Sequence, residues 1–515
     1  MLGGIAIAGI ACASAQAAPR DAKTIINQVC GSCHVADPGK ENWSRISQQR
    51  KTPEGWLMTI GRMQNQFGIS ISDEDRRTVV KHLADTRGLA PAETDGVRYA
   101  LERRMNTVET LGSKQYQEMC ARCHSAARPV LQRRPLGEWE RLVHMHLGQW
   151  PSVEYSAMGR DRDWLNSALK EMAPMLAKEY PYDSKAWSDW QKSKPMASAL
   201  NGRWSFSGHM PGQGDVRGVM TATHGGGDKF TVKIDGMFVD GEPFSGSGNA
   251  LLYTGYEWRA NVKVNGVPMR QVLALRDGTL KGRMFESAHD ERGLEFAATK
   301  APVLLAVQPG HVKAGEQAEL TLVGSQLKGN VDLGAGVDVL SVTQATPEQV
   351  RVKVRVKPDA VTGLRPVKVG NVQGAQLSVY KSIDEVKVVP ALAVARIGGN
   401  GASTPKVQGR FDAEAWSRDA AGKSFRVGVV PARWTVEPFD DRAKHDRDVE
   451  FAGSMQASTG IFTPGDAGPN PKRTMSANNV GNLKVVAHVN GSNKPLKAEG
   501  HLIVAVQRWN NPPVP

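Results

Sequence analysis

Two five-residue stretches of this sequence carry the same chemistry: Cys30-Gly31-Ser32-Cys33-His34 and Cys120-Ala121-Arg122-Cys123-His124. Cysteines three apart lie on one face of a helical turn, so both thiols can reach the vinyl groups of one porphyrin. The histidine that follows is placed to bind the iron from the same side. C-x-x-C-H is the signature of covalent c-type haem attachment. Other readings of the cysteines fit less well. A four-cysteine zinc site would have to join two pairs that stand 90 residues apart in sequence, whereas structural zinc ligands come in close spacings. A thioredoxin-like redox pair needs a βαβ context, and the pattern here offers none.

An electron-transfer haem iron takes a second axial ligand, normally Met or His. In the first half of the N-terminal region the candidates are Met58, Met63 and His82; in the second they are His144, Met145, His146, Met158, Met172 and Met175. The two halves rank their own candidates. "RKTPEGWLMTIGRM" and "RRPLGEWERLVHMH" both run from basic residues through Pro to Trp and into an apolar helix. Trp56 plus seven is Met63, and Trp139 plus seven is His146, which makes these two the equivalent distal ligands. Residues 144 and 146 lie roughly 200° apart around a helix, so only one of those histidines can face a given iron. His82 reads as a surface or core histidine. A thioether ligand raises the potential, so His34/Met63 should form the higher-potential site and His124/His146 the lower. Electrons would then enter at the second haem and leave from the first.

These residues need helices to hold them, and the pattern supplies helices up to about residue 195. "SDEDRRTVVKHLADTRG" shows a Ser72 cap, acidic residues in its first turn, apolar spacing at Val79, Val80 and Leu83, and a stop at Gly88. "DRDWLNSALKEMAPMLAKEYP" reads as a similar helix up to Pro174. Beyond Pro195 the period changes to two. "KFTVKIDG" alternates Phe230, Val232 and Ile234 with polar residues, and Asn265-Gly266 and Asp277-Gly278 are hairpin turns. "VRVKVRVKP" sets Val350, Val352, Val354 and Val356 on one face and Arg351, Lys353, Arg355 and Lys357 on the other. That is a half-buried strand with a solvated basic face. The expected fold class is multidomain α plus all-β: a helical dihaem cytochrome c domain at 19–195 (halves 19–90 and 91–195), a β-barrel domain at 196–300, an immunoglobulin-like sandwich at 301–382 and a C-terminal immunoglobulin-like β domain at 383–515.

At 515 residues the chain is too long for one core. Its first residues, an apolar run from Leu2 to Cys12 followed by Ala15-Gln16-Ala17, read as a cleaved signal peptide over 1–18. The expected location is therefore the periplasm, and no later run reaches the ~20 apolar residues of a membrane span. With Cys12 removed, all remaining cysteines belong to the two haem motifs. The net charge of +13 is spread along the chain without a long cluster, which points to steering toward an acidic partner rather than to nucleic acid. His209, His224, His289, His311, His445, His488 and His501 are scattered without metal-ligand spacing. "HGGG" at 224–227 lacks an accompanying G-x-S-x-G elbow and reads as a hairpin turn. No phosphate loop or dinucleotide fingerprint is present.

Taken together, two C-x-x-C-H motifs in the first quarter, the W-x6-M pattern with "ISDEDRRTVVKHLADTRG", three following β domains and "VQPGHVKAGEQAELTLVGSQLKG" as a sandwich module resemble the α subunit of quinohemoprotein amine dehydrogenase. The resemblance covers essentially the whole chain. It implies a heterotrimer that oxidises primary amines to aldehydes and ammonia, an oxidoreductase acting on CH–NH2. The family's organic cofactor is a cysteine tryptophylquinone on a small cross-linked γ subunit, and a β-propeller subunit completes the assembly. The chain itself would bind two haem c groups through Cys30, Cys33, Cys120 and Cys123, with His34, Met63, His124 and His146 on the irons. It would carry electrons to a blue copper protein or a cytochrome c. No cysteine here is left to build the quinone, so no catalytic residue is expected on this chain. Two rivals share the haem motifs: a dihaem cytochrome c peroxidase, which leaves the β domains unexplained, and a dihaem carrier for another periplasmic dehydrogenase.

Overall fold

The computed structural model describes residues 20–104, 106–155, 163–400, 402–491 and 495–507. The expected signal peptide, Met158 and the Trp509–Pro515 tail lie outside the described residues. A mostly helical region is followed by a closed eight-stranded antiparallel barrel and then by two regions of packed β-sheets.

Local signals set the helices. Thr52 accepts from the Gly55 amide and Pro53 occupies the first turn of the helix Pro53–Phe67, where a missing N–H is tolerated. Ser72 accepts from the Asp75 amide to start Asp73–Thr86. Pro174 does not end its helix. Ala168–Met172 forms a wider π-type turn and the chain stays helical through Ala173–Glu179. The ladder has already shifted register there, and the proline falls in a fresh first turn that needs no donor from it.

The barrel runs from Gly202–Met210 to Gly293–Thr299, and those two strands pair to close it, with Thr299 opposite Ser205. Its inside is the largest core of the molecule, with Trp204, Phe206, Met220, Trp258, Met284 and Phe296 fully enclosed. Asn265-Gly266 and Asp277-Gly278 turn two of its hairpins with positive φ at both residues, as the tight hairpin geometry requires. "HGGG" lies in the hairpin between the strands ending at His224 and starting at Lys229.

Each later β region departs from purely antiparallel pairing. His311–Lys313 runs parallel to Val372–Tyr380, and Leu392–Arg396 runs parallel to Pro495–Ala505. In both, a proline (Pro309, Pro390) divides the first strand so that its second part joins the opposite sheet beside the last strand. Val350, Val352, Val354 and Val356 are buried in the first of these cores, while Lys353 and Arg355 are exposed.

The barrel is welded to the helical region. Leu89, Val97, Leu101, Ala127, Val130 and Leu131 share a core with Val272 and Phe285 of the barrel. Tyr256 donates to the Leu89 carbonyl (3.1 Å), and the Thr254 amide donates to Asp85 (2.7 Å). Glu257 is buried between Arg98 (2.6 and 3.0 Å) and Arg259 (2.8 Å), and Arg259 also reaches Glu54 (2.6 Å). Burial opposes ionisation of Glu257, but the two guanidiniums prevail and hold its carboxyl at about 2. A depressed folded-state value stabilises the fold above the ordinary carboxyl range, and that contribution is lost as pH falls from about 4.5 toward about 2. Glu257→Ala should therefore cost about 3–5 kcal/mol at neutral pH, as for other broken buried pairs. It should also flatten the acid limb of stability below pH 4.5. Denaturant unfolding from pH 3 to 7 reads both, and equal acid slopes in the two proteins would count against the network.

Candidate haem sites

The first C-x-x-C-H begins where the helical turn Ile26–Cys30 ends. The Cys33 and His34 amides both donate back to the Cys30 carbonyl, at 3.2 and 2.9 Å, so the chain coils tightly enough to set both thiols on one side. The His34 ring places Nδ1 2.9 Å from the Ser44 carbonyl. With Nδ1–H donating there, Nε2 keeps its lone pair for a metal, as in metal-bound histidines generally. Ser44 is itself held by its neighbour Trp43, whose indole N–H donates to Asn27 (2.7 Å) and whose amide donates to Ser47 (2.8 Å). Cys30 is half-buried and joins the core of this half, while Cys33 is exposed. Burial, then the neighbouring Cys33, pushes the Cys30 thiol up.

Met63 is half-buried on the helix Pro53–Phe67. Spacings of three from Ile60 and seven from Trp56 put it on the face that these two residues bury against the core containing Cys30. Met58 lies roughly 200° from Trp56 around the same helix. His82 is half-buried on Asp73–Thr86, and burial, then Lys23 and Arg87, pushes it down.

The second motif follows the helix Lys114–Cys120, which Ser113 caps at the Tyr116 amide. Tyr116 donates to the Ala126 carbonyl (2.6 Å), and the Ala126 amide donates to Glu109 (2.8 Å), closing the loop that carries His124. His124 Nδ1 lies 3.0 Å from the Ser125 carbonyl, and His146 Nδ1 lies 2.8 Å from the Leu142 carbonyl. Neither Nε2 has a hydrogen-bond partner among the described residues. Their centroids are 6.5 Å apart with planes tilted by 54°. Two imidazoles on opposite sides of one metal have centroids about 6.3 Å apart, given metal–nitrogen bonds of about 2 Å. Burial pushes His124 down to about 4 and His146 down as well, so both rings are neutral.

The other candidates in this half stand elsewhere. His144 is exposed and Met145 is half-buried. Met172 is enclosed in the core with Tyr116, Trp139 and Trp164, and Met175 packs against that core.

The two halves meet along a seam. Arg50–Lys51 pairs with Gln132–Arg133, opposing Arg50 to Arg133, and farther along Gln149 bonds Gln66 at 2.5 Å. All four positions are equivalent in the sequence repeat. Arg50 and Arg133 converge on half-buried Glu93, at 2.8 and 3.2 Å. Lys51 sits over the Trp56 ring (5.1 Å) and Arg134 over the Trp139 ring (5.7 Å), each five residues before its tryptophan. Glu138, which is buried, faces Arg45, Arg134 and Arg141. Sequence reading found the repeat but missed Glu93 and Glu138; the paired basic residues before each Trp were the available signal.

The donor set fits a covalently held haem at each motif. The four cysteines are unbridged, and all three histidines point their hydrogen bonds away from Nε2. Trp139 Nε1–H is buried without an acceptor in the second half, whereas Trp56 Nε1–H donates to the Arg87 carbonyl (3.1 Å).

Away from these sites, His209 joins two regions. It bonds Asp215 (2.7 Å) within the barrel and Asp412 (3.0 Å) in the C-terminal region. Although burial opposes it, these two carboxylates raise His209 to about 10, so it is charged. A sequence spacing of more than 200 residues hid that contact.

Four family models match in chain order. They are described as quinohemoprotein amine dehydrogenase A, alpha subunit, haem binding (residues 20–187), and alpha subunit domains II (197–301), III (301–381) and IV (386–514). No curated protein matches the chain. Among solved structures, a redesigned beta barrel, mFAP1, bound to DFHBI is 17% identical, covers 21% of this chain and 97% of its own, and has a TM-score of 0.19. A Bacteroides ovatus glucan-utilisation protein, SGBP-B, in complex with a mixed-linkage heptasaccharide is 13% identical over 59% of this chain and 64% of its own, TM-score 0.19. Zebrafish RET cadherin-like domains 1 to 4 are 9% identical over 59% and 66%, TM-score 0.16.

The thiol environments give a direct check. Burial raises Cys120 to about 12, while Cys123 is exposed. In chain made without haem, iodoacetamide at pH 8 should label Cys123 well before Cys120, read by peptide mass mapping. Equal rates would contradict the described burial.

Proposed function

The chain belongs to the quinohemoprotein amine dehydrogenase alpha-subunit family, and from that premise we propose that it is the dihaem electron-transfer subunit of a periplasmic amine dehydrogenase. In this reading Cys30 and Cys33 hold one haem c and Cys120 and Cys123 a second. His34 and Met63 are the axial ligands of the first, and His124 and His146 of the second. Each bound haem supplies one-electron storage. The chain's residues do the rest: the thiols fix the group, Ser44, Ser125 and Leu142 aim the imidazoles, and the Trp56 and Trp139 cores keep water away.

The observation that carries this reading is the His124–His146 pair. Two neutral rings with centroids 6.5 Å apart, each with its Nδ1 hydrogen-bonded to a backbone carbonyl, support a closed coordination site. A closed site suits electron transfer and leaves no position for peroxide or substrate. Since every cysteine outside the leader lies in a C-x-x-C-H motif, a cysteine tryptophylquinone belongs on another chain. The proposed complex therefore contains a small quinone-bearing subunit and a β-propeller subunit. It deaminates primary amines to aldehydes and passes electrons through this chain to a blue copper protein or cytochrome c. The apolar leader-like segment and the haem motifs both favour an exported product.

Purification from cells grown on an amine should yield this chain with two covalently bound haems and a small co-purifying partner rich in Cys and Trp. The complex should reduce a dye with amine, and the isolated chain should not; dye reduction by the chain alone would overturn the assignment. For the ligands, Met63→Ala should alter the spectrum and lower the potential of one haem, and His146→Ala should alter the other. His144→Ala should leave both as they are. Redox titration resolving the two haems measures this, and an unchanged spectrum in Met63→Ala or His146→Ala excludes that ligand.

A further inference from the structure

The seam between the two halves holds more positive charge than it balances. Lys51 and Arg134 are each only 4% exposed. Arg62, from the helix carrying Met63, and Arg128, just after His124, are half-buried beside them. The Lys51 ammonium donates to the Thr59 hydroxyl (2.6 Å) and faces the Trp56 ring, and neither partner is charged. Glu138 is a carboxylate acting on Lys51, and it is shared with Arg45, Arg134 and Arg141. Burial, then Arg134, Arg62 and Arg128, holds Lys51 well below an ordinary lysine. Buried like charges are expensive unless an anion joins them.

This cluster adjoins the second site: Arg128 follows His124 by four residues, and Arg134 lies over the ring of Trp139 (5.7 Å), on the helix that carries His146. A second, independent observation points the same way. Trp139, 2% exposed, forms the core against which Cys120 packs, and its Nε1–H has no acceptor among the described residues. An acceptor is missing where cations are in excess.

The geometry points to a carboxylate site: Lys51, Arg128 and Trp139 Nε1–H bind the propionates of the haem held by Cys120 and Cys123, within the positive surroundings of Arg62 and Arg134. This rests on the proposed haem attachment and adds a role for residues outside the ligand set. Charge-assisted bonds of this kind keep a carboxylate ionised.

The groups facing the site are Lys51 from the short strand, Arg62 from the Met63 helix, Arg128 after the second motif, Arg134 and Glu138 at the start of the His146 helix, and His124 and His146 themselves. The test is the midpoint potential of the second haem between pH 5 and 8, in haem-loaded full-length chain with and without its partner subunits. In the natural chain the potential should be flat in both. In Lys51→Met/Arg128→Gln it should fall by at least tenfold in the reduction equilibrium at pH 8, about 59 mV for a one-electron couple. It should rejoin the natural value near pH 5 as the propionate takes up a proton. Trp139→Phe, which removes only the N–H, should give a smaller fall of the same sign, and Lys51→Arg/Arg128→Lys should stay flat. A displacement equal at every pH, or none, overturns the proposal. So does a flat profile seen only in the assembled complex, which would assign the carboxylate to a partner subunit. Loss of the six-coordinate low-spin spectrum in the natural chain would instead overturn the ligand reading, and this proposal with it.

Discussion

A metal that takes one ligand from each side requires those ligands to stand at a fixed separation, and neither can drift by an ångström. His124 and His146 come from different elements, one from a loop after a short helix and the other from the second half of Leu136–Gln149, yet their rings lie 6.5 Å apart. Each ring is aimed by a carbonyl at Nδ1 and kept neutral by burial. The remaining structure of the second half serves that separation. Trp139 anchors the His146 helix, Tyr116 ties the helix before the motif to the loop after it, and Glu109 closes that loop.

The proposed haem sites make the same demand on the domain arrangement. Two small helical halves have little core of their own, and a domain of such size buries a smaller share of its surface than a larger one. The halves therefore share half-buried Glu93 and buried Glu138 across their seam and lean on the barrel through Leu89, Phe285 and the Glu257 network. The barrel's interior is filled with aromatic and methionine side chains, which suits a rigid support. His209, charged between Asp215 and Asp412, extends the fixation to the C-terminal region. Apart from the exposed Arg45, these linking residues are buried or half-buried, where ion pairs act in a lower dielectric than at the surface.

Much of this was legible in the sequence because it rests on local rules. Two C-x-x-C-H motifs, the Ser72 cap, the Asn-Gly and Asp-Gly turns and the valine alternation at 350–356 each depend on neighbours within a few residues. The internal repeat also ranked His146 over His144, and the structure leaves His144 exposed and His146 beside His124. What the sequence hid is set by tertiary contact. Pro174 reads as a stop unless the wider turn before it is known. The parallel edge strands follow from a first strand divided between two sheets. Glu93 and Glu138 look like ordinary surface acids until the seam encloses their carboxylates among arginines. His209 looks isolated because its partner Asp412 lies in another domain.

The central claim is that electrons from an amine-oxidising centre on another chain pass through two unequal haem sites on this one. Rapid mixing of the purified complex with a primary amine, without oxygen and under spectral observation of both haems, tests it most directly. The account has the His124/His146 haem reduced first and the His34/Met63 haem collecting the electron afterward, because its thioether ligand gives it the higher potential. Reduction of neither haem by amine, or reduction of the His34/Met63 haem before its partner, would contradict it.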